Sequence, residues 1–293
     1  MDDDESIYAY INQHVSNKPA EKRNKELKNN QIPRGLKITK LPNIGTNFPQ
    51  RPAMKSKIIP DMASSTVIIG STGSGKTNLL IDMFINPNMY RGYFDEIWLF
   101  SKTGHCDSLF EYLELKDDRV IVNNMEKKLK DLIDKCEKES KSIGVTKMKR
   151  RALLFEDLTA NAKLMRSPAF LKCFCQNRHM ACMVFACVHS YTRLTRTCRQ
   201  TCTNIFLFPM PLTDIKLLSD DHCPPNMSKK DFINDIINVA HKRDIVINEK
   251  GEKEENRPFL HINCKVDFDT RYRKSFDYIL KICNPLYSEK NEL

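Results

Sequence analysis

Between residues 65 and 208 short apolar runs alternate with amphipathic stretches. The runs are 66–69 (TVII), 96–100 (EIWLF), 152–155 (ALLF), 181–188 (ACMVFACV) and 205–208 (IFLF), with a weaker one at 119–122 (RVIV). Continuous apolar runs of this length fit strands covered on both faces. Residues 76–84 and 168–175 read as helices. Residues 125–140 read as a charged helix, with Leu129, Leu132, Ile133 and Cys136 at helical spacing. The Arg/Thr-rich stretch after residue 188 is helical or looped. Strand and helix in alternation predict an α/β fold, a mainly parallel sheet with helices on both faces. Ligands of such a sheet collect at the carboxyl ends of its strands.

The flanks have a different texture. Residues 17–40 are rich in Lys and Asn, and Pro33, Pro42, Pro49 and Pro52 punctuate the chain between residue 33 and the core. Residues 1–60 therefore read as a basic, partly extended arm. Residues 228–241 predict an amphipathic helix through Phe232, Ile233, Ile236, Ile237 and Val239. Residues 259–262 (FLHI) suit one more strand, 251–257 a polar loop, and 267–280 no regular element. The expected organisation is an arm (1–60), a core (61–210) and a C-terminal extension packed on it (211–293).

Composition narrows the class. Of the 293 residues 41% are hydrophobic, enough for a real core. No stretch approaches the roughly 18 apolar residues of a membrane span, and the opening MDDDESIYAY holds no apolar signal region. The 11 cysteines form no CxxC pair, and Cys182 and Cys187 sit within apolar runs. This reads as a soluble protein of a reducing compartment. A net charge of +10 suits a polyanionic partner such as nucleic acid, or simply a well-solvated surface.

The chemistry begins where the glycines gather: Gly70, Gly73 and Gly75 are three of only 9 in the chain. Residues 70–77 read GSTGSGKT, which satisfies G-x-x-x-x-G-K-[ST] directly after a predicted strand and before a predicted helix. The backbone of Gly70, Ser71, Thr72, Gly73, Ser74 and Gly75 is expected to cradle the phosphates of ATP, with Asn78 in the helix start beside them. Lys76 is expected to reach the β- and γ-phosphates, and Thr77 to give its hydroxyl to Mg²⁺. Two acids, Glu156 and Asp157, end the ALLF run. By position Glu156 holds Mg²⁺ through water and Asp157 polarises the attacking water. Past the 181–188 strand, His189-Ser190 stand where a γ-phosphate sensor would sit. Arg178-His179 precede the same strand, with Arg178 at the rim of the site or at a subunit boundary. Arg193, Arg196 and Arg199, with Tyr191 among them, suit either DNA phosphates or a solvated helix face.

Taken together, GSTGSGKTNLL, the EIWLFS strand, ALLFED, Arg178-His179 before an apolar strand, and Arg199 and Asn204 before IFLF resemble the poxvirus-type viral DNA-packaging ATPases of the FtsK–HerA superfamily. These occur in nucleocytoplasmic large DNA viruses, virophages and polinton-like elements. The resemblance covers roughly residues 65–208. It implies a RecA-like sheet, with the 181–188 strand inserted between the P-loop strand and the acidic strand. It also implies a homo-oligomeric ring, a hexamer, in which Arg178 is an arginine finger reaching a neighbour's ATP. The implied substrate is double-stranded DNA, moved without sequence specificity into a capsid, with capsid or membrane-vertex proteins as further partners. The implied place is the host cytoplasm (the viral factory) or the virion. Two departures stand out: Glu156 occupies the place of the family's Asp, and His189-Ser190 that of its Gln. Two other readings share the P-loop: a nucleotide or nucleoside kinase, and an ATP-binding assembly protein with little hydrolysis.

Overall fold

A computed structural model of the chain describes residues 48–281, apart from 105–107, 159–160, 244, 248–252 and 256. The described residues all belong to one compact unit, residues 44–293. Most of the expected N-terminal arm lies outside them.

The core is built on strands β1 (Ser65–Ile69), β2 (Glu96–Phe100), β3 (Val120–Ile121), β4 (Arg151–Phe155), β5 (Cys182–Val188) and β6 (Asn204–Leu207). All pair in parallel, in the order β6-β1-β5-β4-β2-β3. Every residue of β1, β4, β5 and β6 is buried, so both faces of the sheet are covered there. This is why these strands carry no alternation of polar and apolar residues. The expected α/β sheet is thus the one formed, and β5 lies between β1 and β4.

The helices follow their apolar stripes. Helix α1 (Pro52–Lys55) buries Met54. Helix α2 (Lys76–Ile85) starts at the end of the glycine-rich loop and buries Leu79, Leu80, Ile81, Met83 and Phe84. Helix α3 (Met125–Ile143) buries Leu129, Leu132, Ile133 and Cys136, the stripe read from its spacing, and stops at Gly144. Helices α4 (Ala162–Arg166) and α5 (Pro168–Gln176) begin at Asn161 and Ser167, whose side chains accept backbone N–H bonds. Helix α6 (Arg196–Thr201) is capped likewise by Thr195.

The carboxyl-terminal third departs most from expectation. Helix α7 (Leu212–His222) has no clear apolar stripe and is not evident in the sequence. The helical stretch at 229–241, α8, has a π-helical middle, Phe232–Ile237, that buries Phe232, Ile236 and Ile237. The expected polar loop at 251–257 instead contains strand β8 (Lys253–Glu255), paired antiparallel with β7 (Ile245–Ile247) in a separate hairpin. Strand β9 (Leu260–Asn263) joins the main sheet antiparallel to β6. Residues 267–280 hold helix α9 (Phe268–Arg271) and strands β10 (Tyr272–Lys274) and β11 (Tyr278–Ile279). These two strands extend the sheet to nine.

Candidate nucleotide site

Strand β1 is flanked by β5 on one side and β6 on the other. The loop leaving its carboxyl end is therefore in the crevice where such sheets bind ligands. Gly70 N donates to Val188 O at 3.2 Å, which ties the start of the loop to β5. A Cβ at Gly70 would overlap Ser74 Oγ and lie 2.8 Å from Phe208 Cβ, so no side chain fits there. Gly75 has φ +106°, a left-handed conformation that lets the loop turn directly into α2. The start of α2 thereby presents its free N–H groups and its positive dipole end to the crevice.

Lys76 is buried, and burial pulls its pKa down from the usual lysine value. Its Nζ donates to Ser71 O at 2.9 Å and faces His189 Nδ1 at 3.4 Å. The other ring nitrogen, His189 Nε2, lies 3.2 Å from Asp157 Oδ1. An ammonium can only donate and a carboxylate can only accept. The tautomer that satisfies both contacts carries its proton on Nε2 and gives it to Asp157. Lys76, His189 and Asp157 thus form one relay over the mouth of the loop. Asp157 sits at φ +46°, which turns it away from the line of β4 and toward His189.

Glu156 points the other way. Thr77 Oγ1 donates to Glu156 Oε1 at 2.7 Å, while Glu156 Oε2 is buried with no hydrogen-bond partner. Burial raises the Glu156 pKa above its ordinary value, partly offset by Cys187, Thr77 and Lys76. The Cys187 thiol beside it is pushed well up by its own burial. An orphaned carboxylate oxygen next to a hydroxyl is an incomplete polar set, which a hydrated divalent cation would complete. Among the described residues no cluster of three or more His, Cys, Asp or Glu could hold a metal by itself.

Other candidates lie elsewhere. Ser190 turns from the site: its Oγ donates to Asp214 Oδ1 at 2.7 Å, and Asp214 also accepts from Thr192 N at 2.9 Å. Arg199 is held within its own chain: its Nε donates to Asp221 at 2.9 Å and its guanidinium lies over Tyr191. Arg193 and Arg196 are exposed. Arg178 is exposed in the turn Asn177–Met180, at the amino end of β5. The phosphate loop is at the opposite end of the sheet, about 20 Å away at ~3.3 Å per strand residue. Arg178 cannot serve the site of its own chain.

Sequence reasoning missed Arg257, whose Nη1 donates to Gly73 O across 184 residues. It also missed the cavity beside it, about 380 Å³, on the β6 side of the loop. Nothing local marks either, since a lone Arg-Pro pair after a charged stretch is unremarkable.

A parallel sheet whose first strand ends in this loop, with paired acids on β4 and a polar tip on β5, defines a P-loop nucleoside triphosphatase. The chain belongs to the Poxvirus A32 protein family, whose model matches residues 55–256. This agrees with the resemblance read from the motifs. Among solved structures it is similar to the genome packaging NTPase B204 from Sulfolobus turreted icosahedral virus 2 in complex with ATP-gammaS. That pair is 14% identical over 72% of this chain and 95% of that one, with a TM-score of 0.45. The AMP complex of the same protein matches at 13% identity, over 72% and 96% of the two chains, with a TM-score of 0.48. The cytoplasmic domain of the Thermomonospora curvata type VII secretion ATPase EccC matches at 14% identity, over 51% and 21%, with a TM-score of 0.39. Comparison with curated proteins gives no match.

Proposed function

We propose that this chain is the motor subunit of a viral genome-packaging machine, hydrolysing ATP to move double-stranded DNA into a capsid. The observation that carries the reading is the double pairing at the loop, Thr77 with Glu156 and Lys76 through His189 to Asp157, in a member of the Poxvirus A32 protein family. A simple binding protein needs the loop and the lysine. It has no use for a second acid held by an oriented histidine.

The geometry supports the following roles. Lys76 leaves Ser71 O to meet the β- and γ-phosphates, which supply the anionic partners that burial makes it want. Thr77 Oγ1 and Glu156 would hold Mg²⁺, Glu156 through water. When bound, Mg²⁺ offsets charge on the β- and γ-oxygens. Asp157, freed from the strand by its turn, orients the attacking water. His189 holds Asp157 in place and joins it to Lys76, so that the γ-phosphate end and the acid end move together. Arg178, at the far end of its own sheet, supplies positive charge to the site of the next subunit in a ring, a hexamer in this reading. Such an arginine is worth about 10³–10⁵ in rate in the best cases. Arg193 and Arg196 remain for the DNA backbone. The motor works in the viral factory, docked to capsid or membrane-vertex proteins.

Two experiments test this. Lys76→Ala is expected to abolish ATP hydrolysis with the fold retained by circular dichroism, and undiminished turnover would sink the reading. Mixing Arg178→Ala with Asp157→Asn subunits, each inactive alone, is expected to recover part of the activity. If no mixture recovers any, Arg178 does not act between subunits.

A further inference from the structure

The loop has two flanks, and the pairings above fix what each does. The γ-phosphate end of a bound triphosphate faces β5 and β4, where His189, Asp157 and Glu156 stand. The nucleoside end must then leave over the opposite flank, toward β6. On that flank lies the cavity of about 380 Å³, within the size range of small-molecule sites. Residues 71–74 of the loop form one wall. Phe208 and Pro209, at the carboxyl end of β6, form another, with His241 and Pro258 behind. Arg243 and Arg257 close it.

We infer that this cavity takes the base and ribose of the P-loop nucleotide, and that Arg257 is its clamp. The inference rests on the reading of the loop as a triphosphate site. Three observations carry it. First, the cavity is continuous with the loop, since residues 71–74 line both. Second, its floor is rigid: Phe208 N donates to Ile69 O at 2.8 Å, and His241 Nε2 is held 2.9 Å from Leu207 O. Third, Arg257 already reaches the loop, with its guanidinium on Gly73 O and its Cδ 3.9 Å from where a Gly75 Cβ would be. A planar guanidinium between proline and loop backbone is a stacking surface for a flat heteroaromatic ring. It would swing from Gly73 O onto the base. Among the described residues the polar side chains that line the cavity are Ser, Thr, His and Arg, and stacking holds every base alike. The site is thus expected to tolerate different nucleobases.

The two arginines stand at the two feet of the β7–β8 hairpin, Arg243 before β7 and Arg257 after β8. The nucleoside is thereby gripped by the C-terminal segment of the same chain that supplies the loop.

The test is photolabelling with 8-azido-ATP followed by peptide mapping, alongside titrations of ATP and of inorganic tripolyphosphate. The expected label falls on peptides containing 208–209 or 241–258 and is displaced by ATP. Arg257→Ala is expected to weaken ATP about tenfold and tripolyphosphate by less than twofold. If label maps instead to the loops after β2 or β4, or Arg257→Ala binds ATP like the parent, the subsite is wrong while tripolyphosphate binding keeps the loop reading intact. If the parent binds tripolyphosphate but DNA, and not ATP, displaces the label, the cavity is a DNA contact and the inference falls. A parent that binds neither ATP nor tripolyphosphate, with Lys76→Ala no different, overturns both readings.

Discussion

Glu156 shows most directly how this site sets stability against function. Its carboxylate is buried and half unpartnered, and its pKa is raised by burial. A group whose folded pKa lies above its unfolded value lowers stability once pH exceeds that folded value, and ceases to do so below the unfolded value of about 4.3. Glu156→Gln keeps an oxygen for Thr77 and removes the charge. It is expected to abolish hydrolysis and yet raise Tm at pH 7, by about 2–4 °C for each kcal/mol released. The gain is expected to vanish below pH 4. Thermal melts at both pH values check this, and a lower Tm at neutral pH would contradict it. Gly70 makes the converse case. Gly70→Ala places a methyl against Phe208 Cβ at 2.8 Å and is expected to destabilise by about 1–3 kcal/mol in urea titrations.

At the scale of elements, the sheet is stitched at its amino end by charge. Arg151, only 1% exposed, opens β4 and bonds Glu96 of β2 at 2.9 Å and Glu139 of α3 at 2.6 Å. Burial works against the Glu96 carboxylate, but bonds from Lys149 and Arg151 hold its pKa down at about 2. A depressed folded pKa contributes stability that is full above about 4.3 and lost as pH falls toward 2. Glu96→Ala leaves the buried arginine with Glu139 as its remaining carboxylate partner and is expected to cost less than the roughly 3–5 kcal/mol of a fully broken buried pair. Glu96→Gln is expected to flatten the acid limb of the stability profile between pH 4.5 and 2. The strands and α3 were legible in the sequence because apolar burial alone makes them. Helix α7 was not, because its buried face is polar: Asp214, Ser219 and His222 are inside and bonded to Ser190, Ile215 O and Tyr191. Periodicity of apolar residues cannot register the burial of polar ones that is made possible by hydrogen bonds, with Ser190 and Tyr191 outside the helix and with Ile215 O within it. Strands β10 and β11 were hidden for a different reason, since they are only two or three residues long, β10 ordered by pairing with β9 and β11, at the edge, by pairing with β10.

For the whole molecule, the catalytic half of the site was legible and the nucleoside half was not. A phosphate loop needs glycines, lysine and threonine contiguous in sequence, and its acids must end a buried strand. Both are patterns a reader of the sequence can see. Arg257 reaches the loop only because β9 pairs with β6, which the order of residues does not announce. The placement of Arg178 at the far end of the sheet was legible, because it precedes the strand whose carboxyl end carries His189. If Arg178 completes a neighbour's site, as proposed, ATP and Mg²⁺ together are expected to shift the 34.1 kDa chain to several times its mass in size-exclusion chromatography. A chain that stays monomeric would argue against the shared site. If Arg193 and Arg196 track phosphates, DNA binding is expected to weaken steeply with salt. A DNA-coupled motor is tested by ATP turnover with and without double-stranded DNA, with Lys76→Ala as the control. DNA is expected to raise the rate several-fold in the parent and to leave the variant silent. A parent that hydrolyses ATP at the same rate with and without DNA would contradict the account.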